Sequence, residues 1–280
     1  MADAARTKPI EDVRDISAIT YGFMASKALF SALEFDIFTR IAEGANSTSA
    51  LAKVTGIAEN RLLALLASLK SLGLISETDG RLINAPATSR YLVAGAPGDF
   101  RDYVQFVNGA AGYESFRHLD KALRGERVFP DKGWYEGFVY DSGIGGERFS
   151  SAQHMGSLGP ARLMAKRVDL KDRRKLLDAG GGSGAYSIAF CNANPQLSRR
   201  AADALPTGGL LLVHDFMVDN ARDGPRFAAW YLLGSILDNP SAVCLTPAYV
   251  ENVLRDSGFT IENTETMLPG ITMLTKAVKA

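Results

Sequence analysis

The sequence predicts an α/β chain: a Rossmann-like domain with a parallel sheet and an antiparallel C-terminal strand, preceded by an all-α winged-helix domain. Three observations predict it. "LLDAGGGSG" (Leu176 to Gly184) is a short apolar strand followed by a glycine turn and a helix start. "GGLLLVHDF" (Gly208 to Phe216) reads as a further strand. The first third of the chain sets leucine-rich helical stripes before a hairpin signal.

The 280 residues carry 31 Lys plus Arg and 31 Asp plus Glu, so no net charge favours nucleic acid or an anionic membrane. No apolar run is expected to reach the roughly 20 residues of a membrane span. Cys191 and Cys244 stand far apart without metal-ligand spacing, and are expected to be buried free thiols in a reducing, cytoplasmic compartment.

Apolar residues fall at helical spacing from Ile16 to Ile41, with Leu29, Leu33, Ile37 and Ile41 stepping by four. One long helix is expected there, stopped by Gly44. "NSTS" supplies an N-cap for a short helix through Lys53. Leu62, Leu65, Leu66, Leu69 and Leu72 form a second apolar face ended by Gly73. Asp79-Gly80 is a type I′ turn between two short strands. The sum is a winged helix-turn-helix. Its DNA-binding reading is weak, because five basic residues between Ser47 and Leu92 face three acidic ones. Packing and dimerisation fit better, with the first helix as a candidate swapped element. A helical cap without a partner is the bland alternative.

Residues 106–170 read as connecting helices that contribute to a substrate pocket. "GWYEGFVYDSG" (Gly133 to Gly143) concentrates four aromatics that either wall a pocket or fill a core. Pro160 is expected to interrupt or kink the helix that follows.

The glycine loop points to a ligand. A helix N-terminus presents unpaired N–H groups, and glycines let a ligand touch the backbone. Gly180, Gly182 and Ala185 satisfy the dinucleotide pattern formally. Asp178 discriminates: its carboxylate repels a pyrophosphate and suits a cationic ligand such as S-adenosylmethionine.

At these residues the chain resembles the bacterial relatives of the plant caffeate and hydroxyindole O-methyltransferases, which are dimers with a winged-helix domain and a class I methyltransferase domain. The resemblance runs through "MASKALFSALEFDIF", "FSSAQHMGS", "LLDAGGGSGAYS", "ALPTGGLLLVHDF" and "GITMLTKAVK". It implies domains at 1–105 (dimerisation), 106–170 (connecting) and 171–280 (cofactor-binding), in a homodimer acting on a small molecule. Asp178, Gly180, Gly182, Gly184 and Ser157 would then hold the cofactor. Asp215 matches the carboxylate that orients the family's catalytic histidine. His214, its neighbour, is the other catalytic candidate, although regular alternation turns it to the opposite face. The tail agrees with this fold: Thr246 caps a helix with Pro247 at its first position, and two β-type segments follow.

The same resemblance exposes a gap. The helix after the glycine loop passes straight into the one preceding the fifth strand, so Leu197–Ser198 is a seam. Three strand–helix units, roughly 60–75 residues, are expected to be missing there, and the family's catalytic histidine with them. A genuine deletion is the alternative. Cys244 stands where the family has a second acidic residue, which keeps open a relative that binds the cofactor with lost or altered chemistry.

Overall fold

The computed structural model describes residues 9–105, 112–128, 146–195, 197–199, 205–239 and 241–280. The chain divides into two compact units. One is Ile10–Glu114 with Glu147–Gly156, and the other is built mainly on Ser157–Ala280.

In the first unit the expected long helix is two. Helix α1 (Val13–Glu34) starts on an Asp12 capping box, and α2 (Ile37–Ala42) follows a break at Asp36, whose φ of 53° is left-handed. Aspartate tolerates that conformation better than most residues. The break lets Ile37, Phe38 and Ile41 reach the core beside Leu33. Helices α3 (Thr48–Thr55, capped by Ser47) and α4 (Glu59–Ser71) lead to the hairpin of β1 (Ile75–Thr78) and β2 (Arg81–Asn84). Asp79 (φ 50°) and Gly80 (φ 72°) form its turn. Leu62, Leu66 and Leu69 are buried, whereas Leu72 points outward. Helix α5 (Pro86–Tyr91) closes the wing.

Helix α1 corrects a second expectation. It is long and apolar enough to cross a membrane by length and composition alone. Its Ile16, Ile19 and Phe23, spaced to share one face, are all more than half exposed.

Helix α6 (Leu119–Leu123) is short, and α7 (Gly146–Arg167) runs without interruption through Pro160. The aromatic run at Gly133 to Gly143 lies outside the described residues.

The second unit holds two sheets. Strand β3 (Lys175–Leu176) pairs in parallel with β4 (Ser198–Arg199), flanking helix α8 (Ala185–Ala193). Strands β5 (Leu210–Asp215), β6 (Phe259–Leu268) and β7 (Thr272–Lys279) form an antiparallel sheet in the order β5-β7-β6. Among the described residues the parallel pairing is that of β3 with β4, and the C-terminal strand β7 runs antiparallel to its neighbours. Helix α9 (Arg226–Asp238) follows β5, and α10 (Pro247–Asp256) carries the expected Thr246 cap and Pro247.

Two cores sandwich the antiparallel sheet. Ala161 and Met164 of α7 and Phe190 of α8 pack with Leu274 on one side. Val250 and Leu254 of α10 pack with Met217 and Ala277 on the other. Strand β7 is central and carries four buried residues, but β5 is an edge. None of its residues is fully buried, although four in succession are aliphatic.

Candidate cofactor and active site

Strand β3 ends at a turn built to present backbone. Gly180, Gly182 and Gly184 have φ of 70°, 48° and 72°, a region that favours glycine. Gly184 N–H donates to the Gly181 carbonyl at 2.7 Å and forms the N-cap of α8. No side chain caps that helix, so its first-turn N–H groups face the loop with the positive end of the helix dipole.

Asp178 stands half-buried beside this turn, and its Oδ2 accepts from Ser187 Oγ at 2.8 Å. Gly181 was not singled out in the sequence, yet it is the tightest point. A Cβ there would lie 2.7 Å from Asp178 Cγ. Its signal was present as the middle glycine of a GGG run, without a motif position to mark it. Ser157 is half-buried on α7, one turn before the core residue Ala161.

The end of β5 sends its last two residues to different faces. His214 pairs with Leu274 and Asp215 with Met273, so His214 looks toward the α7–α8 layer and Asp215 toward the α10 layer. Both imidazole nitrogens of His214 are engaged: Nδ1 lies 2.8 Å from the Tyr186 hydroxyl and Nε2 lies 2.8 Å from Thr272 Oγ1. Burial pushes the His214 pKa down to about 4. It pushes Tyr186 up to about 12, helped by the charges of Asp178 and Asp215. The ring is therefore neutral at pH 7. Desolvation also raises Asp215, opposed by the Phe216 N–H that its Oδ1 accepts at 2.7 Å.

The His214 shift has a stability consequence. Above pH 6.5 the ring is neutral whether folded or not. Between about 6.5 and about 4 the unfolded ring takes a proton that the folded one refuses. The urea midpoint should therefore drop across that window in the wild type and drop less in His214→Gln. Parallel curves for the two proteins would refute this.

Beyond β5 the chain supplies apolar and aromatic surface. Phe216 stacks on Tyr231 with centroids 3.8 Å apart and lies 5.8 Å from Phe227. A cleft of about 190 Å³ is lined by Val218, Leu232, Ile236, Val243 and Cys244, with Arg222 at its side. Cys191 is half-buried and Cys244 exposed, so the expectation of two buried thiols is corrected. Cys244 reaches the surface because the segment before Thr246 is a loop.

Comparison with known proteins supplies the frame for this geometry. Residues 18–94 match the O-methyltransferase dimerisation domain. The chain is 30% identical over 190 residues to a 3-hydroxy-5-methyl-1-naphthoate 3-O-methyltransferase of Streptomyces sahachiroi, covering 67% of this chain. It spans about half (54%) of that relative's length. It is 26% identical to the tetracenomycin polyketide synthesis 8-O-methyl transferase TcmO of Streptomyces glaucescens, covering 88% of this chain and 91% of that one. That alignment runs over 313 positions, and 88% of 280 residues is about 246, so about 67 positions of the relative have no counterpart here. The fold is that of human N-acetylserotonin methyltransferase, solved in complex with SAM: the TM-score is 0.83 over 98% of this chain and 99% of that one, at 19% identity.

Proposed function

We propose, for a chain that carries an O-methyltransferase dimerisation domain on a methyltransferase fold, that it binds S-adenosylmethionine and methylates a hydroxyl of a small aromatic or polyketide-type molecule in the cytoplasm. The observation that carries this reading is the uncapped α8 N-terminus behind three left-handed glycines, with the Asp178 carboxylate beside it. Donors and acceptor of that kind fit the cofactor, whose bound form supplies an electrophilic methyl on a sulfonium. Gly180, Gly182 and Gly184 let backbone N–H groups approach it, and Asp178 opposes its positive charge. Ser157 is assigned to the same cofactor. Asp215, at the strand end, orients a general base for an acceptor hydroxyl whose pKa is near 10 if phenolic. The apolar cleft and the Phe216–Tyr231 stack hold the flat acceptor, because orientation at near-attack distance supplies much of the rate. Calorimetry should show saturable cofactor binding, and turnover should form S-adenosylhomocysteine only when acceptor is added. A folded chain that binds no cofactor overturns the reading.

The chain works as a homodimer through its N-terminal domain. The support is the matched dimerisation domain and the exposed stripe of Ile16, Ile19 and Phe23 on α1. Burying such a side chain contributes about 1.5–3 kcal/mol. Phe23→Glu should therefore shift the protein from dimer to monomer in sedimentation, and an unchanged dimer would place the interface elsewhere.

We place the domain bounds at 1–105, 106–170 and 171–280, with a further segment of the native protein at Leu197–Ser198. Three observations support the segment. Strand β5 has a free edge among the described residues, its four aliphatic residues are only half-buried, and one relative carries about 67 unmatched positions. Runs of that composition suit a strand covered on both faces. The intact mass of the protein from its natural source should exceed 30.1 kDa by roughly 7–8 kDa, the weight of three strand–helix units. A mass of 30.1 kDa would make the interruption real. The exposed Cys244 beside the cleft would then favour a cofactor-binding protein with lost or altered chemistry.

A further inference from the structure

We propose that His214 is a positioning residue: it clamps the first turn of α8, and through it the glycine loop, to the C-terminal end of β5 and the start of β7. The inference rests on the reading of that loop as the cofactor site. It names a role that no motif assigns.

The geometry is a three-member relay. Tyr186 is the second residue of α8, two positions after the N-cap Gly184. Its hydroxyl meets His214 Nδ1, and His214 Nε2 meets Thr272 Oγ1, both at 2.8 Å. Thr272 is 4% exposed and opens β7. His214 is paired with Leu274, so Thr272 is its diagonal neighbour on the same face. A neutral imidazole has one donor and one acceptor, while each hydroxyl can play either part, so the relay closes with either tautomer.

Among the described residues no strand ladder duplicates the clamp. No ladder joins β3 to β5 among the described residues, so the two sheets have no shared register. Side chains fix it instead, one at each end of the strands. At the N-terminal end Arg173 Nη1 donates to the Gly208 carbonyl at 2.8 Å. At the end where the loop lies, the Tyr186–His214–Thr272 relay performs the same service. A buried hydroxyl–imidazole bond lost on one side leaves its partner unsatisfied, which costs more than the bond itself contributes.

The charges facing the relay do not replace it. Burial first, and then the charges of Asp178, beside the loop, and Asp215, on the opposite face of β5, keep the Tyr186 proton in place. Neither makes a hydrogen bond to the relay: Asp178 is held by Ser187, and Asp215 accepts from Phe216.

The test uses Tyr186→Phe, which removes one hydroxyl at nearly constant volume, with His214→Leu, their double variant and His214→Gln. Two readouts are taken on the full chain: amide exchange without cofactor at Ile188, whose N–H closes the first turn of α8 on the Gly184 carbonyl, and the Kd for S-adenosylmethionine. Tyr186→Phe and His214→Leu should each speed that exchange about tenfold and raise Kd about 5- to 30-fold. The double variant should be no worse than His214→Leu alone, and His214→Gln, which keeps a donor and an acceptor, should recover part of both effects. A Tyr186→Phe protein that exchanges and binds as the wild type does overturns the proposal, as do strictly additive effects. Faster exchange in a protein whose wild type binds no cofactor would keep the clamp and remove the cofactor reading.

Discussion

Gly181→Ala should weaken S-adenosylmethionine binding by roughly 5- to 150-fold while leaving the fold intact. The added Cβ would stand 2.7 Å from Asp178 Cγ, 2.8 Å from its Oδ2 and 3.2 Å from its carbonyl oxygen. Real Cβ atoms essentially never approach below 3.0 Å, so something must move. Backbone strain is not the cause, because φ at Gly181 lies outside the left-handed region that Gly180, Gly182 and Gly184 occupy. Two responses are open to the molecule. The loop can open, which misaims the α8 N–H groups, or the carboxylate can swing away and break its 2.8 Å bond from Ser187. Overpacking of this kind costs about 1–3 kcal/mol, and 1.4 kcal/mol is about tenfold in affinity. Calorimetry on the purified variant decides it. An unchanged Kd would show that neither the loop geometry nor the Asp178 carboxylate sets the site.

Gly156→Ala should lower the thermal midpoint by about 2–8 °C, against the usual rule for helices. Alanine in a helix interior ordinarily stabilises by about 0.5–1 kcal/mol relative to glycine. Here the new Cβ would overlap Tyr103 Cε2 and lie 2.5 Å from its Cδ2. The ring has little freedom to retreat: it stacks on Phe100 with centroids 4.7 Å apart, and burial raises its phenol pKa. An overpacking cost of about 1–3 kcal/mol, set against the helix gain, leaves a net loss of about 1–2 kcal/mol. About 1 kcal/mol moves the midpoint of a chain this size by roughly 2–4 °C. Gly234, inside α9, is the internal control. Its prospective Cβ meets Phe116 ring carbons at 3.9 Å, ordinary van der Waals contact, so Gly234→Ala should be neutral or raise the midpoint. A raised midpoint for Gly156→Ala would mean that Tyr103 turns aside at little cost.

Much of the fold was legible in sequence because its signals are local. Ser47 and Thr246 as N-caps, Asp79-Gly80 as a hairpin turn and the leucine stripe of α4 each act within a few residues. The break at Asp36 was not legible, since the apolar spacing continues across it from Leu33 to Ile37. Only the left-handed backbone at Asp36 separates α1 from α2. The same limit applies to Pro160, whose helix runs on because packing of Ala161, Met164 and Ala165 outweighs one lost N–H bond.

The chemistry of each element is local and readable from the residues: which of them cap, turn, strand and helix, and where a glycine loop meets a carboxylate. What those elements do to one another depends on contacts made in the folded chain. The fold made β5 an edge and β7 the centre, and it put His214 between Tyr186 and Thr272, 28 and 58 residues away. It also set Gly181 against Asp178 and Gly156 against Tyr103. The physical reason is one of range. Caps, turns and amphipathic stripes are decided by neighbours within about four residues, whereas sheet order, side-chain relays and steric limits depend on groups that approach only once the chain has folded.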